Sequence, residues 1–534
     1  MEEVKEKIKE LVERFHLNLD AYKKGSYNET QLRREFIDPF FEALGWDVQN
    51  KQGYAEQYKE VVHEDSIKVG ISLKAPDYSF RIGGQRKFFL ETKKPAINIK
   101  EDTSPAYQLR RYAWSAKLPL SILTDFEEFA VYDCRIKPNP SDKVSTGRIA
   151  YYTYEQYIGK FGEIYDRFSK EAVLKGSFDR YIETTKGMRG TAEVDREFLR
   201  EIESWRESLA KNLALRNPRL TVEELNFAVQ QTIDRTIFLR ICEDRGIENY
   251  GRLQALLNGT NTYRRLFEQF YQADAKYNSG LFDFTLDKLT PALSTDDKIL
   301  KDIIESLYYP NSPYEFSVLG AEILGNVYEQ FLGKVIRLTL GHAAKVEEKP
   351  EVKKAGGVYY TPSYIVRYIV ENTVGRLLGD GCADASLLHD SNKVGWVKRS
   401  GPNIKITPKE ISKLRILDPA CGSGSFLIGA YQHLLDWHTR WYNENNPEKH
   451  ATGKKPVVYR SRAGWQLTTT EKKRILLNNI YGVDIDRQAV EVTKLSLLLK
   501  VLEGENEETI GKTLALFRER ALPDLKDNIK CGNS

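Results

Sequence analysis

Ile416-Leu417-Asp418-Pro419-Ala420-Cys421-Gly422-Ser423-Gly424-Ser425-Phe426-Leu427 is the stretch that decides the fold. Ile416 and Leu417 end a strand, a turn of small residues follows, and Phe426 to Leu435 has the spacing of a helix. Gly422 and Gly424 let the backbone turn tightly and lie close to a ligand. Asp418 stands at the carboxyl end of the strand, where open α/β sheets bind ligands. The next strand repeats the arrangement. Asn479-Ile480-Tyr481-Gly482-Val483-Asp484-Ile485-Asp486 again puts acids at a strand end, where one can take both hydroxyls of a ribose. An ordinary βα turn with capping acids is the plain alternative for either segment alone.

Together the two turns resemble the amino-methyltransferases that modify adenine in DNA with S-adenosylmethionine. Residues 418–424 are similar to their cofactor loop almost letter for letter. Gly357-Val358-Tyr359-Tyr360-Thr361-Pro362 resembles the segment that precedes the loop in the gamma subgroup. The resemblance implies a Rossmann-like domain that binds S-adenosyl-L-methionine through Tyr360, Thr361, Asp418, Ala420, Gly422, Gly424 and Phe426. It also implies Asp484 on the ribose and Asn533 near the adenine, a position more often Asp. Thr361-Pro362 starts a helix, 363–378, able to close over the methionine end. Asp418 and Asp484 stand 66 positions apart, more than a simple doubly wound unit needs. The excess, 437–470, holds three tryptophans and a basic run and reads as a surface insertion, with Thr469 and Thr470 as caps for a helix at 471–477. The family holds its target adenine in an Asn-Pro-Pro-Tyr loop. None occurs in the 534 residues, and Asn311-Ser312-Pro313-Tyr314 is a poor imitation. The chain therefore reads as the N-terminal part of a longer enzyme, without the methylation loop and target-recognition domain.

The amino-terminal third carries a second chemistry. Pro76-Asp77-Tyr78-Ser79-Phe80, Gly83-Gly84 and Lys87-Phe88-Phe89-Leu90-Glu91-Thr92-Lys93 read as strand, turn and strand. Strand alternation puts Glu91 and Lys93 on one face, with Asp77 arriving from the neighbouring strand. Two converging carboxylates suit a hard divalent cation, which activates water and offsets charge on a phosphate. Lysine would orient the water or neutralise developing charge. Gln108 and Tyr112 share one face of a helix at 104–116. The set resembles the PD-(D/E)xK nucleases, in particular the RecB-like branch and type I restriction subunits. The resemblance implies catalytic roles for Asp77, Glu91, Lys93 and Gln108, and Mg²⁺ on Asp77 and Glu91. Glu35, on a helix at 30–44, is a candidate further metal acid; a solvated surface acid is the alternative.

Between these regions the pattern is helical, with long helices at 193–215 and 222–241 and a capping box at Thr221 and Glu224. Arg240, Glu243, Asp244 and Arg245 could contact a phosphate, but a structural salt-bridge cluster is the stronger reading. Residues 342–355, rich in lysine and glutamate, read as a polar mobile segment. Net charge is only +4, which neither demands nor excludes nucleic acid. Five scattered cysteines have neither metal nor disulfide spacing, there is no apolar leader, and no apolar run is long enough to span a membrane.

The expectation is an α/β multidomain chain: a small PD-(D/E)xK-type nuclease domain at 1–170, a helical connector at 171–345 and an incomplete methyltransferase domain at 346–534. The resemblances imply a cytoplasmic, single-chain restriction–modification enzyme acting on double-stranded DNA, with target recognition supplied by a downstream or separate part and no membrane partner. The alternative is a nucleic-acid-associated module that holds S-adenosylmethionine as an effector without methylating.

Overall fold

Phe80 and Phe88 stack across two neighbouring strands with 4.3 Å between ring centroids, in the core of the N-terminal unit. The computed structural model describes residues 1–53, 59–63, 68–69, 72–73, 76–82, 85–185, 193–277, 280–319, 323, 325, 327, 333–349, 361–379, 406–453, 455–461, 464–505, 509–510 and 521–533. The chain forms two units. The first comprises Met1–Phe198, Arg240–Ala255 and Asp302–Leu319; the second comprises Leu199–Leu239, Leu256–Lys301 and Gly320–Ser534.

The first unit begins with α1 (Glu2–Leu17) and α2 (Glu29–Leu32); a π-helical turn (Arg33–Ile37) joins α2 to α3 (Asp38–Ala43). The wide turn has a cause. Pro39 lacks an N–H, so the Glu35 carbonyl has no donor four residues on; the Arg14 guanidinium donates to it instead. Six strands follow in the sheet order β1 (Val61–His63), β2 (Tyr78–Ile82), β3 (Gln85–Thr92), β4 (Leu120–Thr124), β5 (Glu128–Asp133) and β6 (Arg148–Thr153). Only β3 and β4 run parallel, and α4 (Thr103–Ser115) makes the crossover that this pairing requires. Alternation along β3 sorts the two faces. Phe88 and Leu90 pack with Phe15, Phe36, Phe40 and Phe41, whereas Phe89 packs with Leu109 and Ala113 of α4. Glu91 therefore falls on the α4 face. The glycine turn at 83–84 lies outside the described residues.

The helices expected in the middle form as α5 (Val194–Arg216) and α6 (Val222–Asp244). Thr221 Oγ1 accepts from Glu224 N at 3.2 Å while Glu224 accepts from Thr221 N at 2.9 Å, the reciprocal capping box. The segment expected to be polar and mobile is, over its described part, a strand. β7 (Lys334–Leu338) and β8 (Ala344–Glu348) pair antiparallel. Asn226 explains the order. Its side-chain amide accepts from Ile336 N at 3.0 Å and donates to Ile336 O at 2.8 Å, as a neighbouring strand would. Arg206 of α5 adds a bond to Lys334 O at 3.2 Å.

Farther along, α7 (Ser363–Val370) runs into a second π turn, Glu371–Gly375. The central segment forms β9 (Ile416–Asp418), the loop, and α8 (Ser425–Glu444). Trp437 lies buried in α8, so the insertion begins later than the sequence suggested. It consists of a short turn of helix at Pro447–His450 and the hairpin β10 (Val458–Ser461) with β11 (Gly464–Leu467). Thr468, not Thr469 or Thr470, caps α9 (Thr469–Asn479) by accepting from Glu471 N at 3.3 Å. Then come β12 (Ile480–Asp484), α10 (Arg487–Val501) and β13 (Ile529–Cys531). The sheet order β9-β12-β13 is parallel throughout, as one half of a doubly wound sheet requires. No helix among the described residues is long and apolar enough to cross a membrane.

Candidate functional sites

Tyr78 pairs with Leu90 across β2 and β3, which brings Asp77 beside Glu91. Asp77 Oδ2 accepts from Thr92 N at 2.6 Å and from Thr92 Oγ1 at 2.5 Å; Oδ1 lies 3.4 Å from the Arg33 guanidinium. Glu91 is buried. Its Oε1 accepts from Lys93 Nζ at 2.7 Å and Gln108 Nε2 at 3.2 Å, whereas its Oε2, also buried, has no hydrogen-bond partner among the described residues. Asp77, Glu91, Lys93 and Gln108 are thus brought together.

Burial pushes the Glu91 carboxyl up to about 7, the Asp77 charge adds to the rise and Lys93 opposes it. Burial opposes the charge on Lys93, but Glu91 more than offsets this, and the ammonium is held above its ordinary value. Tyr112 lies within reach of the Glu91 charge; burial chiefly, then Glu315 and Glu91, raise its phenol well above the usual range.

Glu35 has different company. Its carboxylate accepts from Tyr27 Oη at 3.1 Å, and no described contact ties it to Asp77 or Glu91. Besides Asp77, Glu29 at the start of α2 is an acid whose charge reaches both Glu91 and Lys93. The sequence carried a signal for it: Asn28 and Gln31 form a capping box around Glu29, four residues before Arg33. Among the described residues no group of three or more His, Cys, Asp or Glu side chains forms a ready metal cage.

The second site lies at the carboxyl ends of β9 and β12. Asp418 Oδ1 accepts from Ala420 N at 3.1 Å, and Cys421 N donates to Val483 O at 2.9 Å. Gly422 N donates to Asp484 Oδ2 at 2.9 Å, and Thr493 of α10 donates to Gly422 O at 2.8 Å. The loop is therefore tied to both neighbours. Gly424 has φ +85°, and a Cβ there would stand 2.8 Å from Thr493 Cγ2. Gly482 faces the loop from β12, where a Cβ would stand 2.7 Å from Leu427 Cδ1 and 3.1 Å from Cys421 Sγ. Burial raises the Asp418 carboxyl, the Ala420 N–H lowers it, and the Asp484 charge raises it again. Two acids meeting over a glycine cradle suit a ligand with hydroxyls and a positive charge. Phe426 is half-buried in the first turn of α8, and Thr361 stands just before Pro362, the N-cap of α7. Asn533 is exposed just past β13, where Gly532 N donates to Asp484 O at 2.9 Å. Tyr360 lies outside the described residues. Cys421 is buried and its thiol is pushed up to about 12, which leaves it inert.

Two other segments have structural roles. Tyr314 is buried among Trp114, Phe198 and Phe316, so it offers no face to a base. Arg240 is buried against Asp244 at 2.6 Å and Leu307 O at 3.0 Å, beneath the Tyr308 ring. Glu243 accepts from Tyr308 Oη at 2.6 Å and from the amides of Gly251 and Leu253. That buried cluster is the salt-bridge reading of 240–245.

Residues 397–534 match the family model of the MmeI DNA-methyltransferase domain. The chain is 36% identical over 532 residues to the type II restriction enzyme and methyltransferase RM.Eco57I of Escherichia coli, covering 99% of this chain and 49% of that protein. RM.MjaORFECS2P of Methanocaldococcus jannaschii, assigned to the same type, is 26% identical over 625 aligned positions, 100% of this chain and 48% of its own length. The adenine-specific methyltransferase BrxX of Escherichia coli O9:H4 (strain HS) is 28% identical over 231 residues, 42% of this chain and 16% of its own. The chain spans about half the length of the first two relatives. Homology thus relates it to type II restriction enzymes that are also methyltransferases and, over a shorter stretch, to adenine-specific methyltransferases.

Proposed function

We propose that this chain is the nuclease and cofactor-binding part of a restriction–modification enzyme. It would cut double-stranded DNA with Mg²⁺ and take part in adenine-N6 methylation with S-adenosylmethionine. Residues 1–170 are assigned to the nuclease, 171–345 to a helical connector and 346–534 to the methyltransferase. Target recognition falls to another domain or subunit, and the setting is cytoplasmic.

The observation that carries the reading is the buried, unpartnered Oε2 of Glu91 beside Asp77. A buried carboxylate oxygen with free lone pairs suits a hard cation. Asp77 and Glu91 would hold Mg²⁺, with the nearby Glu29 charge favouring the cation; Glu35, the candidate further acid, is bonded to Tyr27. When bound, the ion supplies positive charge to the phosphate and acidity to a water. Lys93 sets a fixed positive charge where negative charge develops on the phosphodiester. Gln108 fixes the rotamer of Glu91. In the second site, Asp484 would take the ribose hydroxyls and Asn533 the adenine. Tyr360, Thr361, Asp418 and Phe426 would line the methionine end, while Ala420, Gly422 and Gly424 let the backbone approach. The cofactor supplies an electrophilic methyl group.

The test is nicking of supercoiled DNA with Mg²⁺ and with chelator, run beside calorimetric titration with S-adenosylmethionine. Cation-dependent nicking lost in Asp77→Ala supports the nuclease. Equal nicking by wild type and Asp77→Ala in protein free of contaminating nuclease removes it.

A further inference from the structure

Lys349 directly follows the β7–β8 hairpin, and its ammonium pairs with Asp486. The two side chains are only 16% and 30% exposed, which distinguishes this pair from the solvated ones on the surface. Behind it, Lys349 N donates to Gly333 O at 2.8 Å and closes the hairpin that Asn226 and Arg206 clamp to α6 and α5. Ahead of it, Asp486 caps α10 by accepting from Gln488 N at 2.8 Å. The Asp486 N–H donates to Asp484 Oδ1 at 2.8 Å, and the other Asp484 oxygen holds Gly422 N. Arg487 adds a second tie, its guanidinium 5.5 Å from the centre of the Phe227 ring on α6.

We propose that Lys349 is a positioning residue for cofactor recognition: by pairing with Asp486 it sets the 484–486 turn so that Asp484 meets the ribose hydroxyls. The inference rests on the S-adenosylmethionine reading above. Each Asp484 oxygen already accepts one backbone N–H, so one lone pair on each remains for a hydroxyl, aimed wherever the turn aims it. Asp418, Asp484 and Asp486 also gather three negative charges at two neighbouring strand ends. Lys349 offsets that charge and fixes the turn to a rigid scaffold.

The test is a double-mutant cycle read by calorimetry with S-adenosylhomocysteine and with its 2′-deoxyribose counterpart. Asp486→Asn keeps the helix cap, since asparagine caps as well as aspartate, and removes only the charge. Lys349→Met and Asp486→Asn should each weaken the ribose ligand about five-fold, and together no more than either alone. Lys349→Arg should stay within about two-fold of wild type, and the deoxyribose ligand should bind all variants alike. Losses that add, or that fall equally on both ligands, make the pair a mere structural contact and overturn the proposal while the cofactor reading stands. A wild-type protein that binds neither ligand overturns the cofactor reading and this proposal with it.

Discussion

Asp77 is fastened to Thr92 through a single oxygen, which takes both the amide and the hydroxyl of that residue. Thr92 lies between Glu91 and Lys93, so one acid of the site is held by the strand that carries the other two groups. Thr92→Val removes the hydroxyl bond and keeps the shape. It should cost about 1 kcal/mol of stability and weaken Mn²⁺ binding several-fold, measured by denaturant titration and by calorimetry. Unchanged Mn²⁺ affinity would show that Asp77 needs no such anchor.

Glu91 should make cation binding at the proposed nuclease site pH-dependent, and the direction follows from its environment. The folded carboxyl titrates at about 7, against 4.5 for the free group. This group's stabilising contribution is therefore full below about 4.5 and is lost as pH rises through about 7. Cation binding runs the other way, because it needs the carboxylate. Mn²⁺ affinity should climb to about pH 7 and level off, and Glu91→Gln should remove the climb. A titration series across that range decides it; a climb that survives in Glu91→Gln belongs to another group.

Three substitutions separate the roles of the charged residues. Lys93→Ala should leave Mn²⁺ affinity within a few-fold and lower DNA cleavage on the order of a hundred-fold, because it removes charge placed for the transition state. Glu29→Gln should weaken the cation, while Glu35→Gln should leave it unchanged. Equal cleavage rates for wild type and Lys93→Ala in Mg²⁺ would take Lys93 out of the mechanism.

Gly424→Ala should destabilise the second unit by about 1–3 kcal/mol and abolish S-adenosylmethionine binding, since φ +85° and the Thr493 contact both oppose a side chain. Gly453→Ala, at an open turn with φ +100° and nothing within 4 Å, is the control: backbone strain alone, with binding intact. Thermal melting and calorimetry on the two variants check this. Equal loss of binding in both would show that the loss comes from general destabilisation and not from the cofactor loop.

Much of this was legible because it rests on local rules. Alternation placed Glu91 and Lys93 on one face, and the turn at Gly422 and Gly424 marked the join of β9 to α8. The rest depended on distant partners. Nothing near 334–348 announces a hairpin, because the group that mates with Ile336 is Asn226 on a helix over a hundred residues earlier. The surroundings of Glu35 were also out of reach: a regular helical pattern over 30–44 carries no sign of the π turn at Arg33–Ile37 or of the Tyr27 hydroxyl that its carboxylate accepts from. Burial, the first cause of the high Glu91 carboxyl, is likewise set by the folded sheet; pattern alone offered the Asp77 charge, which comes second.

The π turn at 33–37 has a consequence for how this protein tolerates insertions and deletions. It adds one residue to the helical path between the part that bears Glu29 and Arg33 and the part that buries Phe40 and Phe41. A helix advances roughly 100° per residue, so the extra residue sets the rotational phase between the two parts. Deleting one residue within 33–37 would change that phase while Phe40 and Phe41 stay anchored in the core. It would also swing Glu29 and Arg33 about the helix axis, away from Glu91 and Asp77. Leu32 and Phe36, buried in the same core, would have to move with them, so this short stretch should forgive changes of side chain more readily than changes of length.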